Sequence, residues 1–391
     1  MAAEEEEETP GDGDPRPDPQ GLVAVVTGGC GFLGSHLVQL LLEQEPRLRE
    51  LRVFDLRIDP RVLPPDPEGR LRLVQGDVGD AGAVGRVLAG AHVVFHAAAI
   101  VDVWGRVSSE AIARVNVQGT RNVLWGCRAG GVRCLLYTSS MEVVGPNTRG
   151  DPFLRDPWPL TPDPGPARRG HEDTPYPTRH SQPYPRSKAQ AERMVLEANG
   201  APVAGGGRLV TVALRPTGVY GERHPLLAQF YRRGRAAGGW LPRTLPPHAE
   251  HGRVYAGNVA WMHLLAARAA LLRPLSVGGE AFYCYDSSPY APYEEFNLLL
   301  LGLRAAGPRP PRLLLALLAR LNAGLGALLR PLRAPYAPLL TPYTLALAST
   351  PFSVRTLKAA RRFGYRPLYT WEGARTRTLR WIQRLDQGAS P

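Results

Sequence analysis

The chain has 391 residues, 44% of them hydrophobic, enough to bury a large core in one domain or two, which excludes a disordered class. Its formal net charge is +12, spread as scattered arginines with no basic run interleaved with aromatics, so no nucleic-acid partner is expected; an anionic cofactor or an anionic membrane surface accounts for it. The four cysteines (Cys30, Cys127, Cys134, Cys284) form no CxxC pair and no zinc spacing, so no metal site is expected and they read as reduced, structural thiols.

Residues 1–20 carry five glutamates (Glu4 to Glu8) followed by Pro, Gly and Asp. They are expected to form a disordered acidic tail, not a secretory signal or a mitochondrial presequence. Leu22–Val26 is a short continuous apolar run, as a buried parallel strand requires. It runs into Thr27-Gly28-Gly29-Cys30-Gly31-Phe32-Leu33-Gly34, and an amphipathic helix follows from about Ser35 to Glu45. With Gly28, Gly31 and Gly34, and Phe32 and Leu33 between the last two, the backbone can turn tightly and approach a pyrophosphate seated on the helix N-terminus. Asp55 ends the next strand, Leu51–Phe54, and lies 21 residues past Gly34. A carboxylate there accepts from the adenosine ribose hydroxyls and repels a 2′-phosphate, which favours NAD over NADP, with Arg57 nearby weighing the other way.

Leu71–Val74 reads as a third strand whose turn holds Asp77, placed to meet the adenine or to serve as an ordinary turn acid. Ala91–Ala99 reads as a fourth strand ending in small residues against the cofactor, with His96 packing at the strand end rather than acting in catalysis. Asn116 falls in a helix covering the sheet. Arg133–Tyr137 is a fifth strand. It delivers Thr138, Ser139 and Ser140 to the carboxyl edge of the sheet, where a hydroxyl can hold a reacting oxygen. Residues 147–180 read as a long surface loop.

Tyr184-Pro185-Arg186-Ser187-Lys188 opens a helix running to about Ala198. A tyrosine and a lysine four apart share a helix face. A phenol is a poor base at neutral pH, and a neighbouring ammonium lowers its pKa, so the pair can exchange a proton with an alcohol or ketone. Lys188 and Lys358 are the only lysines; the other 45 basic residues are arginines, so lysine at this spacing is informative. Leu209–Pro216 is a sixth strand. Beyond it the pattern turns irregular, as a smaller substrate lobe over 216–391 would. The segment 296–330 is hydrophobic, and Leu313–Leu329 within it is interrupted by Arg320 and Asn322. With flanking Arg304, Arg309, Arg312, Arg330 and Arg333, it reads as a membrane-embedded or interfacial helix rather than a buried core helix. The expected architecture is α/β: a Rossmann-type doubly wound parallel sheet over 21–215, a smaller C-terminal substrate lobe, and a hydrophobic membrane-associated helical segment.

The glycine loop, Asp55, Ser140 and the Tyr184/Lys188 pair resemble the extended short-chain dehydrogenase/reductases. The stretches Tyr137–Asn147, Pro183–Lys188, Leu214–Gly221 and His251–His263 resemble more specifically the 3β-hydroxysteroid dehydrogenase/Δ5-isomerase family, and within it most the branch that acts on twenty-seven-carbon sterols in bile-acid synthesis. The resemblance runs from Leu22 to about Gln383. It implies oxidation of a sterol 3β-hydroxyl with NAD and migration of the ring double bond into conjugation. By the family's motifs Tyr184 is the acid/base, Lys188 lowers its pKa and binds the nicotinamide ribose, and Ser140 positions the sterol oxygen. The glycines take the pyrophosphate and Asp55 takes the adenosine ribose. The isomerase acid falls on Asp286, in a segment where relatives with paired acids have two carboxylates and this chain has Tyr285 and Asp286. A sterol substrate, membrane lipid as a partner and an endoplasmic reticulum membrane setting follow from the same resemblance; an oligomeric state does not. Two other readings share features. A nucleotide-sugar epimerase or dehydratase has the glycine motif and the Tyr/Lys pair, but it needs arginines converging on a diphosphate and has no use for Leu313–Leu329. A non-catalytic NAD-binding scaffold often loses the tyrosine or the lysine, and this chain keeps both.

Overall fold

A computed structural model describes residues 21–145, 171–173, 180–245, 249–329, 336, 338–352, 354 and 356–387. The expected acidic tail at 1–20 and most of the loop at 147–180 lie outside the described residues. In chain order come β1 (Leu22–Thr27), α1 (Phe32–Gln44), β2 (Leu48–Asp55), β3 (Leu71–Gln75), α2 (Ala81–Leu88), β4 (Val93–His96), α3 (Ser109–Ala113), α4 (Gly119–Ala129), β5 (Cys134–Thr138), α5 (Pro183–Glu197) and β6 (Val210–Pro216). There follow β7 (Gly218–Tyr220), α6 (Leu227–Ala236), β8 (Trp240–Pro242), β9 (Glu250–His251), β10 (Arg253–Tyr255), α7 (Ala256–Leu272), α8 (Pro274–Val277), β11 (Glu280–Cys284), β12 (Ala291–Pro292), α9 (Tyr293–Leu301) and β13 (Arg304–Ala306). The last described elements are α10 (Arg312–Leu329), α11 (Pro342–Ser349), α12 (Lys358–Phe363) and α13 (Trp371–Asp386).

Seven strands make one parallel sheet in the order β11-β6-β5-β4-β1-β2-β3. Strand side chains alternate between faces. Thus Ala24 and Val26 pack with Leu37, Val38, Leu41, Val259 and Met262 beneath α1 and α7. Val23 and Val25 pack with Val84, Leu88, Val123, Ala191 and Val195 beneath α2, α4 and α5. Burial on both faces explains why the central strands read as continuous apolar runs. The sheet order reverses between β1 and β4, and the carboxyl ends of these strands open the crevice where doubly wound folds bind ligands.

The expected division at residue 215 is corrected. α7 packs on the sheet with α1, and β11 pairs with β6 as the sheet's edge, so parts of 216–391 complete the nucleotide-binding fold. A lone strand finds its place by non-local pairing, which a local pattern does not carry. The second lobe consists of short pairs (β7 with β10, β9 with β12, β8 with β13) and a cluster of Tyr220, Tyr255, Phe296, Leu300, Leu301 and Ile382. That cluster takes in the start of the hydrophobic segment 296–330: within α9, Phe296, Leu298, Leu300 and Leu301 are buried and only Leu299 is exposed. The membrane expectation therefore contracts to α10. Among the described residues this is the one helix long and apolar enough to cross a membrane, and 11% of it is buried.

Candidate active site

The nucleotide cradle is built from close approaches. Gly28 has φ 70°, and a Cβ there would stand 2.7 Å from Ala98 Cα; a Cβ on Gly34 would stand 1.9 Å from Gly28 O. Only glycine fits at either point. Gly31 donates its N–H to Gly28 O at 3.0 Å and caps α1 with no side-chain bond, and the first helical bond is Ser35 N–H to Gly31 O at 2.9 Å, so the N–H groups of Phe32 and Leu33 have no partner within the helix. Asp55 stands beside this loop. Its carboxylate accepts from Cys30 N–H at 3.0 Å and from Arg57 N–H at 3.2 Å. The glycine cradle, the uncapped helix and this carboxylate fit a dinucleotide. Asp77 is held by the Gly79 N–H and the Arg114 guanidinium, each at 2.8 Å. Partial burial pushes its carboxyl up, but these two donors hold it below its ordinary range.

β5 and α5 bring together the residues expected to transfer the proton. Pro183 at the first turn of α5 starts the helix without wasting an N–H, and Tyr184 and Lys188 follow on one buried face, 5% and 3% exposed. Ser140, just past β5, caps a short turn by accepting from Glu142 N–H at 3.1 Å, and its hydroxyl lies close enough to the Tyr184 phenol to favour the phenolate. Burial pushes the phenol up and the nearby Glu142 adds to this, while the Ser140 hydroxyl pulls it down. Lys188 Nζ donates to Thr138 O at 2.7 Å and lies 4.8 Å above the Tyr137 ring. Burial lowers the lysine to about 7, against the pull of Glu192 one turn on.

Residues that local reading passed over hold this pair in place. Asn116 lies in a single π-helical turn, Arg114–Gln118, a departure that often marks functional sites. Its side chain accepts from Ile100 N–H at 2.8 Å and donates to Ile100 O and to Ser187 Oγ, which in turn donates to Tyr184 O. Glu192 accepts from Ser139 Oγ at 2.5 Å and from Arg215 at 2.7 and 3.0 Å, all buried. His263 donates from Nδ1 to Val259 O and accepts at Nε2 from Thr138 Oγ1 at 2.8 Å; burial lowers it to about 4, so it is neutral. Glu142, buried beside Tyr184, accepts from Tyr343 Oη of α11 at 2.5 Å and is raised by burial to about 7. His96 packs as expected, bonded to Thr27 and Thr120 and lowered by burial to about 3.

Asp286 stands apart from this group. Its carboxylate accepts from Tyr255 N–H at 2.9 Å, Asn258 Nδ2 at 2.8 Å and Ser288 N–H at 2.8 Å, tying the end of β11 to the start of α7. The sequence casts it as a proton carrier; the structure gives it a bracing position.

Residues 25–313 match the model of the 3-beta hydroxysteroid dehydrogenase/isomerase family. The chain is 56% identical to human 3 beta-hydroxysteroid dehydrogenase type 7 over 371 residues, 93% of this chain and 96% of that one. It is 38% identical to the 3 beta-hydroxysteroid dehydrogenase/Delta 5-->4-isomerase of vaccinia virus (strain Ankara) over 367 residues, 93% of this chain and 99% of the viral one. Among solved structures it is similar in fold to DesIV, a dTDP-glucose 4,6-dehydratase from Streptomyces venezuelae with NAD and TYD bound. That match has a TM-score of 0.66 and 22% identity, covering 95% of this chain and 99% of the other.

Proposed function

Because this chain belongs to the 3-beta hydroxysteroid dehydrogenase/isomerase family and is an oxidoreductase, we propose that it oxidises the 3β-hydroxyl of 7α-hydroxylated twenty-seven-carbon sterols with NAD, shifting the Δ5 double bond to Δ4 and giving 4-en-3-ones for bile-acid synthesis. The observation that carries the chemistry is the buried Tyr184/Lys188 pair on one face of α5, with Lys188 Nζ on Thr138 O at the carboxyl end of β5. The identity to the human relative supports the sterol class.

The residues divide the work by their surroundings. The glycine cradle and α1 hold the pyrophosphate, and Asp55 holds the adenosine ribose; Phe32 and Leu33 present their backbone there, and Asp77 lines the adenine end. NAD held there would supply the acceptor for the hydride leaving sterol C3. Ser140 orients the sterol oxygen and Tyr184 takes its proton. A buried phenol does this only when a positive charge offsets the phenolate, and Lys188 is the ammonium within one helical turn. Oxidation needs the phenol to accept the hydroxyl proton, so it speeds up as pH rises. The new ketone acidifies C4, and the protonated Tyr184 phenol polarises its oxygen, which favours migration of the Δ5 double bond into conjugation. The sterol is met at a membrane, with the endoplasmic reticulum as the setting; the exposed apolar face of α10 supports this.

Purified protein in detergent, offered 7α-hydroxycholesterol, pregnenolone and a UDP-sugar side by side with NAD, tests the proposal. Reduction of NAD with 7α-hydroxycholesterol alone, forming a conjugated 4-en-3-one and lost in Tyr184→Phe, is expected. Turnover of pregnenolone would shift the substrate class toward shorter sterols, and turnover of the UDP-sugar alone would overturn the reading.

A further inference from the structure

Arg223 is the one non-glycine residue with positive φ among the described residues, at 67°. Such a conformation is strained for a side chain with a Cβ and persists only where neighbours enforce it. Here the neighbours are residues of α1. His36 Nε2 bonds Glu222 O at 3.1 Å, and the His224 ring meets the Phe32 ring edge-on at 5.3 Å. Glu222 is pinned from the other side, its carboxylate accepting from Tyr255 Oη at 2.8 and 2.9 Å. Three consecutive residues of the second lobe are thus seated on the first turns of α1, and the strain aims the middle one. Arg223 Nη1 donates to Ser35 Oγ at 2.9 Å, and Ser35 follows Gly34 directly.

That bond uses one of five guanidinium donors on a neutral hydroxyl whose own proton goes to Phe32 O. Among the described residues Arg223 makes no close ion pair, and the first turn of α1 carries no acid and no side-chain cap. The arginine is half-buried; burial lowers its pKa, the neighbouring Glu222 works against this, and a bound anion would add to that compensation. A guanidinium against a turn with free N–H groups is complementary to a phosphate diester pair, which accepts from both.

We propose that Arg223 binds the pyrophosphate of the nicotinamide dinucleotide from the second lobe, beside the glycine loop on which that lobe is seated. The proposal rests on the NAD reading above. It adds to the glycine loop a cofactor contact from outside the β1–α1 motif, on the lobe that forms the substrate side.

The test is equilibrium binding of NADH by fluorescence to the full chain in detergent, with ADP-ribose and adenosine as competitors, and thermal melts of each variant. Glycine accepts φ 67° without strain, so Arg223→Gly is expected to melt no lower than wild type. It should lose about tenfold or more in affinity for NADH and ADP-ribose, the scale of one charge-assisted hydrogen bond, while adenosine competes unchanged. Arg223→Lys should fall between the two, and the salt dependence of NADH binding should flatten in Arg223→Gly. Wild-type affinity in Arg223→Gly would overturn the proposal and leave the NAD reading standing. An equal loss for adenosine would overturn it too, assigning Arg223 to the shape of the site. Failure of wild-type protein to bind NADH would overturn both readings.

Discussion

Asp286 commits its carboxylate to the fold, since three donors converge on it from two backbone N–H groups and Asn258. Asparagine keeps only one of the two partly buried acceptor oxygens, so some of these donors lose their partner, at a cost of about 1 kcal/mol. Asp286→Asn is therefore expected to lower the melting temperature and to slow ketone formation and double-bond migration in parallel. Separate assays of the two steps decide the matter: loss of migration alone would restore the proton-carrying role its motif position implies. Glu142 poses the opposite case, a carboxyl kept neutral. Its ordinary value is 4.5 and burial raises it to about 7 in the fold, so the unfolded chain releases this proton first. Stability contributed by Glu142 is full below pH 4.5 and is lost as pH rises toward 7, a span of about 3 kcal/mol. Glutamine cannot titrate and can still accept from Tyr343, so Glu142→Gln should remove that decline. Urea melts at pH 5 and pH 8 check this; an unchanged difference between the two pH values in the variant would show that Glu142 is ionised in the fold.

At the level of elements, α5 owes its position to the Glu192–Arg215 pair, which joins it to β6 and carries Ser139 with it. Both side chains are 5% exposed. Breaking such a pair from one side strands a buried charge and costs about 3–5 kcal/mol, whereas replacing both with apolar residues costs less. Glu192→Leu should destabilise by that amount in chemical denaturation, and Glu192→Leu with Arg215→Met should recover part of it; a double variant no better than the single one would count against the buried-charge account. These elements also show what a sequence displays. β1, the glycine loop and α1 were readable because each is a local pattern of apolar run, glycine spacing and helical period. Tyr184 and Lys188 were readable because they are one turn apart. β11 was not, because it reaches the sheet only after the chain has built most of a second lobe. The supporting network was hidden for the same reason: Thr138 and His263 lie 125 residues apart and Glu142 and Tyr343 lie 201 apart. Asn116 had a visible sign, a polar side chain in an otherwise covered helix, but nothing local showed that its turn is π-helical.

For the whole molecule, the question is how a sterol reaches a buried tyrosine, and α10 bears on it directly. Leu315 and Ala319, four apart, are its buried positions, while Leu313, Leu314, Leu317, Leu318, Leu321, Leu325 and Leu328 are exposed. At 3.6 residues per turn these leucines form one stripe opposite the buried pair, and exposed Arg320 falls at the stripe's margin. One face of the helix rests on protein and the other is apolar, which is the pattern of a helix lying in the bilayer interface, with Arg320 reaching to the headgroups. α10 is joined to the catalytic side as well: Asn322 bonds Leu340 O and Tyr336, and Tyr343 on the adjacent α11 bonds Glu142. The exposed apolar helix thus connects through α11 to the acid beside Tyr184, so this apolar face and the Tyr184/Lys188 pair belong to one packed unit. The leucine stripe touches little of the protein, so charging it should spare the fold. Leu313→Glu, Leu317→Glu and Leu321→Glu together are expected to move the chain from the membrane pellet to the supernatant, keep turnover of detergent-dispersed sterol within about twofold, and sharply reduce turnover of sterol supplied in vesicles. Undiminished vesicle turnover by a soluble triple variant would mean that the sterol reaches Tyr184 by a path that does not involve α10.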